Sequence, residues 1–287
     1  MTAYAPECYV LLENMTVAAR DPKLAEYAAL LCDRSRPVSE LELHGILREL
    51  KSMVARTPDH QLQGELYNVQ AGCHRRLGQP NKALDDFRLA LQRLREPTPA
   101  RAEALCNQAA SFMDVGRYRE AALSSLEASK IPKGYNHVTL GNLAEALYRL
   151  GEVDVALQTF QEAIRLADIT NPLHCFSVAS QAAELGLDHD AVEMFARFVV
   201  LRNGGSSEGR PAIEVVGTAS EEDKAGLKNV PVLDATLRRM TAMATELARL
   251  SSHQSVEGDE ASSEEALDVY EATRRLREEA LAHGLLG

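Results

Sequence analysis

Four glycines, Gly78, Gly116, Gly151 and Gly186, fall 38, 35 and 35 residues apart, each inside the same local pattern. Seven residues before each stands an alanine (Ala71, Ala109, Ala144, Ala179), and five after each stands another (Ala83, Ala121, Ala156, Ala191). Nine after come Phe87, Ser125, Phe160 and Phe195; twelve after come Ala90, Ala128, Ala163 and Phe198. A unit of this length on a helical pattern cannot bury its apolar face alone, so successive units must stack. The pattern predicts an all-α solenoid of stacked antiparallel helix pairs over residues 61–203.

Within each repeat the glycine has a definite task. Leu77-Gly78, Val115-Gly116, Leu150-Gly151 and Leu185-Gly186 each place a glycine just past a helix end, where the left-handed conformation closes the helix. The alanines on either side are small, so the paired helices can approach closely. Pro97, Pro132 and Pro172 lie in the gaps between repeats, where a helix must stop.

In this order the positions resemble the tetratricopeptide repeat family, of the bacterial adaptor type. Ala144-x2-Leu147-x3-Gly151-x4-Ala156-x3-Phe160-x2-Ala163 follows the family pattern almost in full, and the match covers about half the chain as four repeats in register. It departs at Ser125, where an aromatic is expected, and at the start of the first helices, which carry Tyr67, Leu105, Leu140 and Cys175. The resemblance implies a right-handed superhelix whose first helices line a concave, partner-binding groove. The period also fits pentatricopeptide RNA-binding repeats, a weaker reading given the acidic balance and the paired alanines.

Outside the repeats, residues 1–60 read as a helical cap, with a degenerate repeat inside it as an alternative. Helices are expected over about Glu7–Ala19, from Pro22, and from a capping box at Ser39 and Glu42. The fourth repeat ends in Phe198-Val199-Val200, an apolar outer face that needs a cover. Residues 204–230 read as an irregular loop, with Ala212–Val216 a short β-like run. A capping helix follows over 231–251, with Leu233, Leu237 and Met240 on its stripe, then an acidic linker over 252–262. A last helix spans 263–287, its thin stripe (Leu267, Tyr270, Leu276, Leu281) interrupted by Arg274. Docking on its own solenoid, pairing with a second copy as a homodimer and waiting for a partner all stay open for it.

Charge and cysteine usage narrow the function. A net charge of −11 argues against nucleic acid as a partner, because a phosphate backbone needs a basic face. Five scattered cysteines (Cys8, Cys32, Cys73, Cys106, Cys175) without Cys-x-x-Cys spacing suit neither disulfides nor zinc, and read as small buried hydrophobes in a reducing compartment. Met1–Val10 carries no basic stretch leading into an apolar core, and no run is long and apolar enough to span a bilayer. A cytoplasmic chain without membrane insertion is expected.

No zinc helix, phosphate loop or nucleophile elbow is present. Gly204-Gly205-Ser206-Ser207 lacks the Lys-Ser/Thr of a phosphate cradle. His137 and His174 open the first helices of repeats three and four; they can meet in space but are too few for a metal. No catalytic residue, cofactor or metal is expected. An enzyme would have to build its site from the 203–230 segment together with the groove.

The resemblance instead directs attention to the first helices and a protein or peptide partner. By position the groove residues are Asn68 and Arg75 in repeat one, and Asn107, Ala110, Met113 and Asp114 in repeat two. Repeat three offers Val138, Asn142, Glu145, Tyr148 and Arg149; repeat four offers Leu173, Phe176 and Ser180. Asn107 and Asn142 occupy equivalent places, where family members use an asparagine to hold a peptide backbone. Met113, Tyr148 and Phe176 would seat its side chains. The lysines of the family's carboxylate clamp are replaced by Asn68, Gly72, Val138 and Asn142, so a chain-terminal carboxylate is not the expected ligand. A scaffold or adaptor is the reading favoured; a regulatory or chaperone-like subunit, with its groove gated by the 204–230 loop or the last helix, is the alternative.

Overall fold

In the computed structural model the described residues are 22–32, 38–205 and 211–256. Every regular element among them is a helix. The chain divides into two compact units, residues 1–177 and 178–287.

The first unit opens with α1 (Pro22–Cys32), α2 (Glu40–Arg56) and α3 (His60–Arg76). Ser39 caps α2 by accepting from the Glu42 amide at 3.2 Å, as the Ser39/Glu42 spacing predicts. Leu24 and Ala28 of α1 and Leu43, Ile46, Leu47 and Leu50 of α2 form one core with Leu66, Val69 and Cys73 of α3. The two N-terminal helices thus cover the first repeat's outer face. The helix expected at Glu7–Ala19 lies outside the described residues.

The helix pairs follow: α3 with α4 (Pro80–Arg93), α5 (Pro99–Asp114) with α6 (Tyr118–Ser129), and α7 (His137–Arg149) with α8 (Val153–Leu166). Gly78, Gly116 and Gly151 have φ of 67°, 74° and 87°. Each closes its helix with two reversed hydrogen bonds. Gln79, Arg117 and Glu152 amides donate to the carbonyls of His74, Phe112 and Leu147 at 2.9, 2.8 and 3.0 Å, while the glycine amides reach Arg75, Met113 and Tyr148. That geometry needs a residue without a Cβ at the turn.

Helix starts alternate in kind. The first helices emerge from loops and take side-chain caps from Asp59, Thr98 and Asn136. The second helices follow the glycine turn directly and have none. Pro97 and Pro132 lie between helices, whereas Pro172 is the first residue of α9 (Pro172–Glu184), where a first-turn residue has no amide partner to lose.

The alanines of the repeat have no exposed surface at all: Ala71, Ala83, Ala109, Ala121, Ala144 and Ala156 are each at 0%. Phe87 and Phe160 are at 0% and 1%, each stabilising its pair by about 2–3 kcal/mol through burial. A polar contact recurs as well. Gln70 donates to Asp86 at 2.9 Å, and Ser124 donates to Gln108 at 3.2 Å, in both cases eight residues on either side of the glycine.

The second unit begins within α9 and continues through the Gly186 turn, at φ 72°, into α10 (Asp188–Arg202). Ala179 and Ala191 are again fully buried, with Phe195 and Phe198 beside each other at 5.5 Å between ring centroids. The apolar end of α10 is covered as its sequence demands, by two elements: α11 (Ala212–Gly217) and α13 (Pro231–Val256) both pack on it. Val215, Val216, Leu233, Leu237 and Met240 are buried there.

The β-like reading of Ala212–Val216 is corrected. The run is helical, followed by α12 (Glu221–Lys224) and a 3-10 turn (Ala225–Asn229). An isolated strand would leave its backbone groups unpaired, whereas one turn of helix satisfies them locally and still turns both valines inward. The segment is therefore ordered around Asp223, which accepts from Ser220 and from Asn203 at 3.2 Å. The helix α13 continues through Val256, five residues into the linker expected at 252–262; the rest of that linker and the helix expected at 263–287 fall outside the described residues.

Candidate functional site

The first helices α3, α5 and α7 stand side by side in the first unit, and their polar side chains form a ladder across them. At its centre the Asn68 amide nitrogen donates to Glu103 Oε1 at 2.9 Å, and Asn68 Oδ1 accepts from Asn107 Nδ2 at 3.2 Å. Asn142 Nδ2 donates onward to the Cys106 carbonyl at 3.1 Å. At the lower edge the Arg75 guanidinium donates to Asp114 at 2.6 and 3.2 Å.

The expected groove residues thus divide. Asn107, Met113, Asn142, Glu145 and Tyr148 are half-buried on this face, as is Arg75; Arg149 and Asp114 are exposed. Asn107 and Asn142 each commit Nδ2 to the neighbouring helix. Their Oδ1 atoms accept from no group among the described residues, which leaves acceptor capacity. Asn68 is 4% exposed and Phe176 2%; neither offers a surface. Asn68 bridges two helices instead of facing outward, and an aromatic ring gains far more from burial than from exposure in a groove. Ser180 is likewise buried.

Sequence reasoning missed the acids beneath the ladder. Glu65 is 1% exposed and Glu103 8%. Both stand 13 residues before their repeat's glycine, a recurrence that was there to be read. Burial pushes the Glu103 carboxyl up to about 8, with the Glu65 charge adding to it and the Asn68 hydrogen bond opposing it. Glu103 is therefore a neutral acid at pH 7.

His137 and His174 do meet, ring centroids 4.0 Å apart. Burial depresses both to about 4, so they are neutral imidazoles packed together. Among the described residues no three His, Cys, Asp or Glu side chains converge as a metal site would require. Cys73, Cys106 and Cys175 are buried thiols outside any disulfide, and burial raises Cys73 to about 12 and Cys106 to about 11, far from a reactive thiolate. No helix among the described residues is long and apolar enough to cross a membrane.

No family model matches the sequence, and no curated protein matches it. Among solved structures, the chain is similar to one in the crystal structure of the APC/C hetero-tetramer Cut9-Hcn1, a tetratricopeptide-repeat structure, with a TM-score of 0.51 and 15% identity. The likeness covers 93% of this chain and 52% of that one, so the present chain spans about half its length. The fold is an all-α solenoid of tetratricopeptide type.

Proposed function

We propose that this chain is a non-catalytic interaction scaffold that holds a peptide or helix of a partner protein against the first helices of repeats one to three. The observation that carries the reading is the pair of equivalent asparagines, Asn107 and Asn142. Each is pinned by a neighbouring helix through Nδ2, with Oδ1 left to accept. A bound backbone presents N–H groups at a regular spacing, and two acceptors on successive parallel helices suit it. Half-buried Met113 and Tyr148 supply apolar footing at low entropic cost. Arg149 and Glu145 add charge of both signs at the margin.

The buried, neutral thiols fit a reducing, cytoplasmic setting. The net charge of −11 favours protein over nucleic acid. The solved neighbour is itself part of a hetero-tetramer, in keeping with an assembly role.

A photo-crosslinking amino acid placed at Met113 or Tyr148 should capture a partner from the native cell extract. The same group at Leu123, 61% exposed on α6, should not. Capture from Leu123 alone would place the binding surface on the second helices and overturn the reading.

A further inference from the structure

Asn107 and Asn142 hold equivalent places but are pinned by different kinds of group. Asn142 Nδ2 donates to the backbone carbonyl of Cys106 at 3.1 Å, and a carbonyl oxygen can only accept. That amide therefore has one direction, with Oδ1 outward. Asn107 Nδ2 donates to Asn68 Oδ1 at 3.2 Å, and Asn68 is itself an amide, whose Nδ2 donates to Glu103 Oε1 at 2.9 Å. The direction of Asn107 is set at the far end of this chain, by what Glu103 does at Oε1.

We infer that Glu103, Asn68 and Asn107 form a proton-linked switch that selects which end of the Asn107 amide faces the groove. The inference rests on the groove reading above and names how that groove is regulated.

The two directions follow from counting donors and acceptors. An ionised carboxylate only accepts, so Asn68 must turn Nδ2 to it and Oδ1 to Asn107, and Asn107 then shows its acceptor. A protonated Glu103 can instead donate from Oε1 to Asn68 Oδ1. Asn68 Nδ2 then donates to Asn107 Oδ1, and Asn107 shows its amide N–H groups. The two ends of an amide are nearly the same size, so a half-turn of each side chain exchanges the arrangements without moving a helix. At the groove end Asn107 is half-buried, and its Oδ1, which accepts from no group among the described residues, is not enclosed.

The buried end supplies the bias. Glu103 Oε2 is enclosed and has no partner among the described residues. With Asn107 acceptor-out, the acid must carry its proton on that oxygen, as a donor with nothing to meet. With Asn107 donor-out, Oε2 is a carbonyl oxygen, which tolerates isolation better. The proton thus draws Asn107 toward donor-out, and its loss returns the arrangement in the structure. By reciprocity, a partner N–H on Asn107 Oδ1 draws the proton from Glu103.

Few charges stand nearby. Burial pushes Glu103 up to about 8, with the Asn68 hydrogen bond opposing and the Glu65 charge of α3 adding, so the proton exchanges near neutral pH. On α5 the Cys106 thiol is held at about 11, and α7 opens on His137, held at about 4; neither changes charge between pH 6.5 and 9. Lys133, in the turn before α7, lines a small cavity with Glu103. α4 and α6 meet α5 through apolar groups, Ala90 and Leu94 on Ala100 and Ala104, and Ala128 on Ala102 and Leu105.

NMR of the isotopically labelled full chain reads the switch without a partner. The Glu103 Cδ shift follows its proton, and couplings across hydrogen bonds give the direction: Asn107 Nδ2 to Asn68 Cγ when the acceptor is outward, Asn68 Nδ2 to Asn107 Cγ when the donor is. The second coupling should fall at least threefold between pH 6.5 and 9 while the first rises, both with the midpoint of Glu103. Asn142 should keep its coupling to the Cys106 carbonyl carbon throughout. Glu103→Gln, close in shape and unable to ionise, should abolish the pH response of Asn107. One direction at both pH values, a Glu103 that does not titrate between them, a pH response surviving in Glu103→Gln, or loss of the Asn142 coupling in step with Asn107 would overturn the switch. The groove reading is scored separately, by crosslinking from Tyr148, so a fixed Asn107 with crosslinking intact removes the switch alone.

Discussion

Arg75 and Asp114, 39 residues apart, meet as a forked pair: Nε donates to Oδ2 at 2.6 Å and Nη2 to Oδ1 at 3.2 Å. The pair ties the C-terminal ends of α3 and α5, so an arginine expected to face a ligand is already engaged by its own scaffold. Two-point geometry favours it, and exposure of 27% and 35% screens it. Arg75→Ala should therefore lower stability by about 1 kcal/mol, read as a shifted urea midpoint, with a smaller loss at high salt.

Ser125 occupies the place where the three other repeats put Phe87, Phe160 and Phe195. It is fully buried, and its hydroxyl has no partner among the described residues. Ser125→Ala removes the unmatched oxygen and keeps the volume close, so it should raise stability by about 1 kcal/mol. A loss of stability by thermal unfolding would show that the hydroxyl is satisfied.

Gly134→Ala should act in the opposite sense. The added Cβ would meet the Ala128 carbonyl at 1.9 Å, and a backbone atom cannot turn aside as a side chain can. A loss of about 1–3 kcal/mol is expected, together with altered NMR shifts along the 131–136 turn. An unchanged midpoint would contradict the packing described there.

The pH dependence of stability has two opposed parts. His137 and His174 sit at about 4 when folded against an ordinary 6.5. The unfolded chain binds more protons between those values, and stability falls as pH drops through that window. Glu103 is at about 8 against 4.5. There the folded chain holds the extra proton, and stability falls as pH rises through 4.5 to 8. From about pH 7.5 upward the two histidines are neutral in both states, leaving Glu103 as the principal source of slope through its value of about 8. Urea unfolding at pH 7.5 and 8.5 should show that decline in the native chain and a much flatter response in Glu103→Gln; equal slopes would place the effect elsewhere.

Much of the fold was legible because the repeat is written in backbone demands. A glycine at positive φ and alanines between close helices tolerate few replacements, so Gly78, Gly116, Gly151 and Gly186 mark their turns directly. Ala212–Val216 misled because a short apolar run has the same alternation whether it pairs as a strand or packs as one turn of helix; only its neighbours decide. The candidate site was legible only as positions. Place in the repeat put Asn107 and Asn142 on first helices, but the direction in which an amide points depends on the helix beside it. That neighbour also decides why Asn68 is buried, and why two acids at equivalent positions lie beneath the surface.

The central claim is that partner binding runs through the first-helix face of repeats two and three. Its most direct test is the affinity of a crosslinked and identified partner segment, measured by calorimetry against the native chain and against Asn107→Ala combined with Asn142→Ala and Tyr148→Ala. The account predicts at least a tenfold weaker Kd, about 1.4 kcal/mol or more, with the helical content unchanged. An unchanged Kd in a folded triple variant would contradict it.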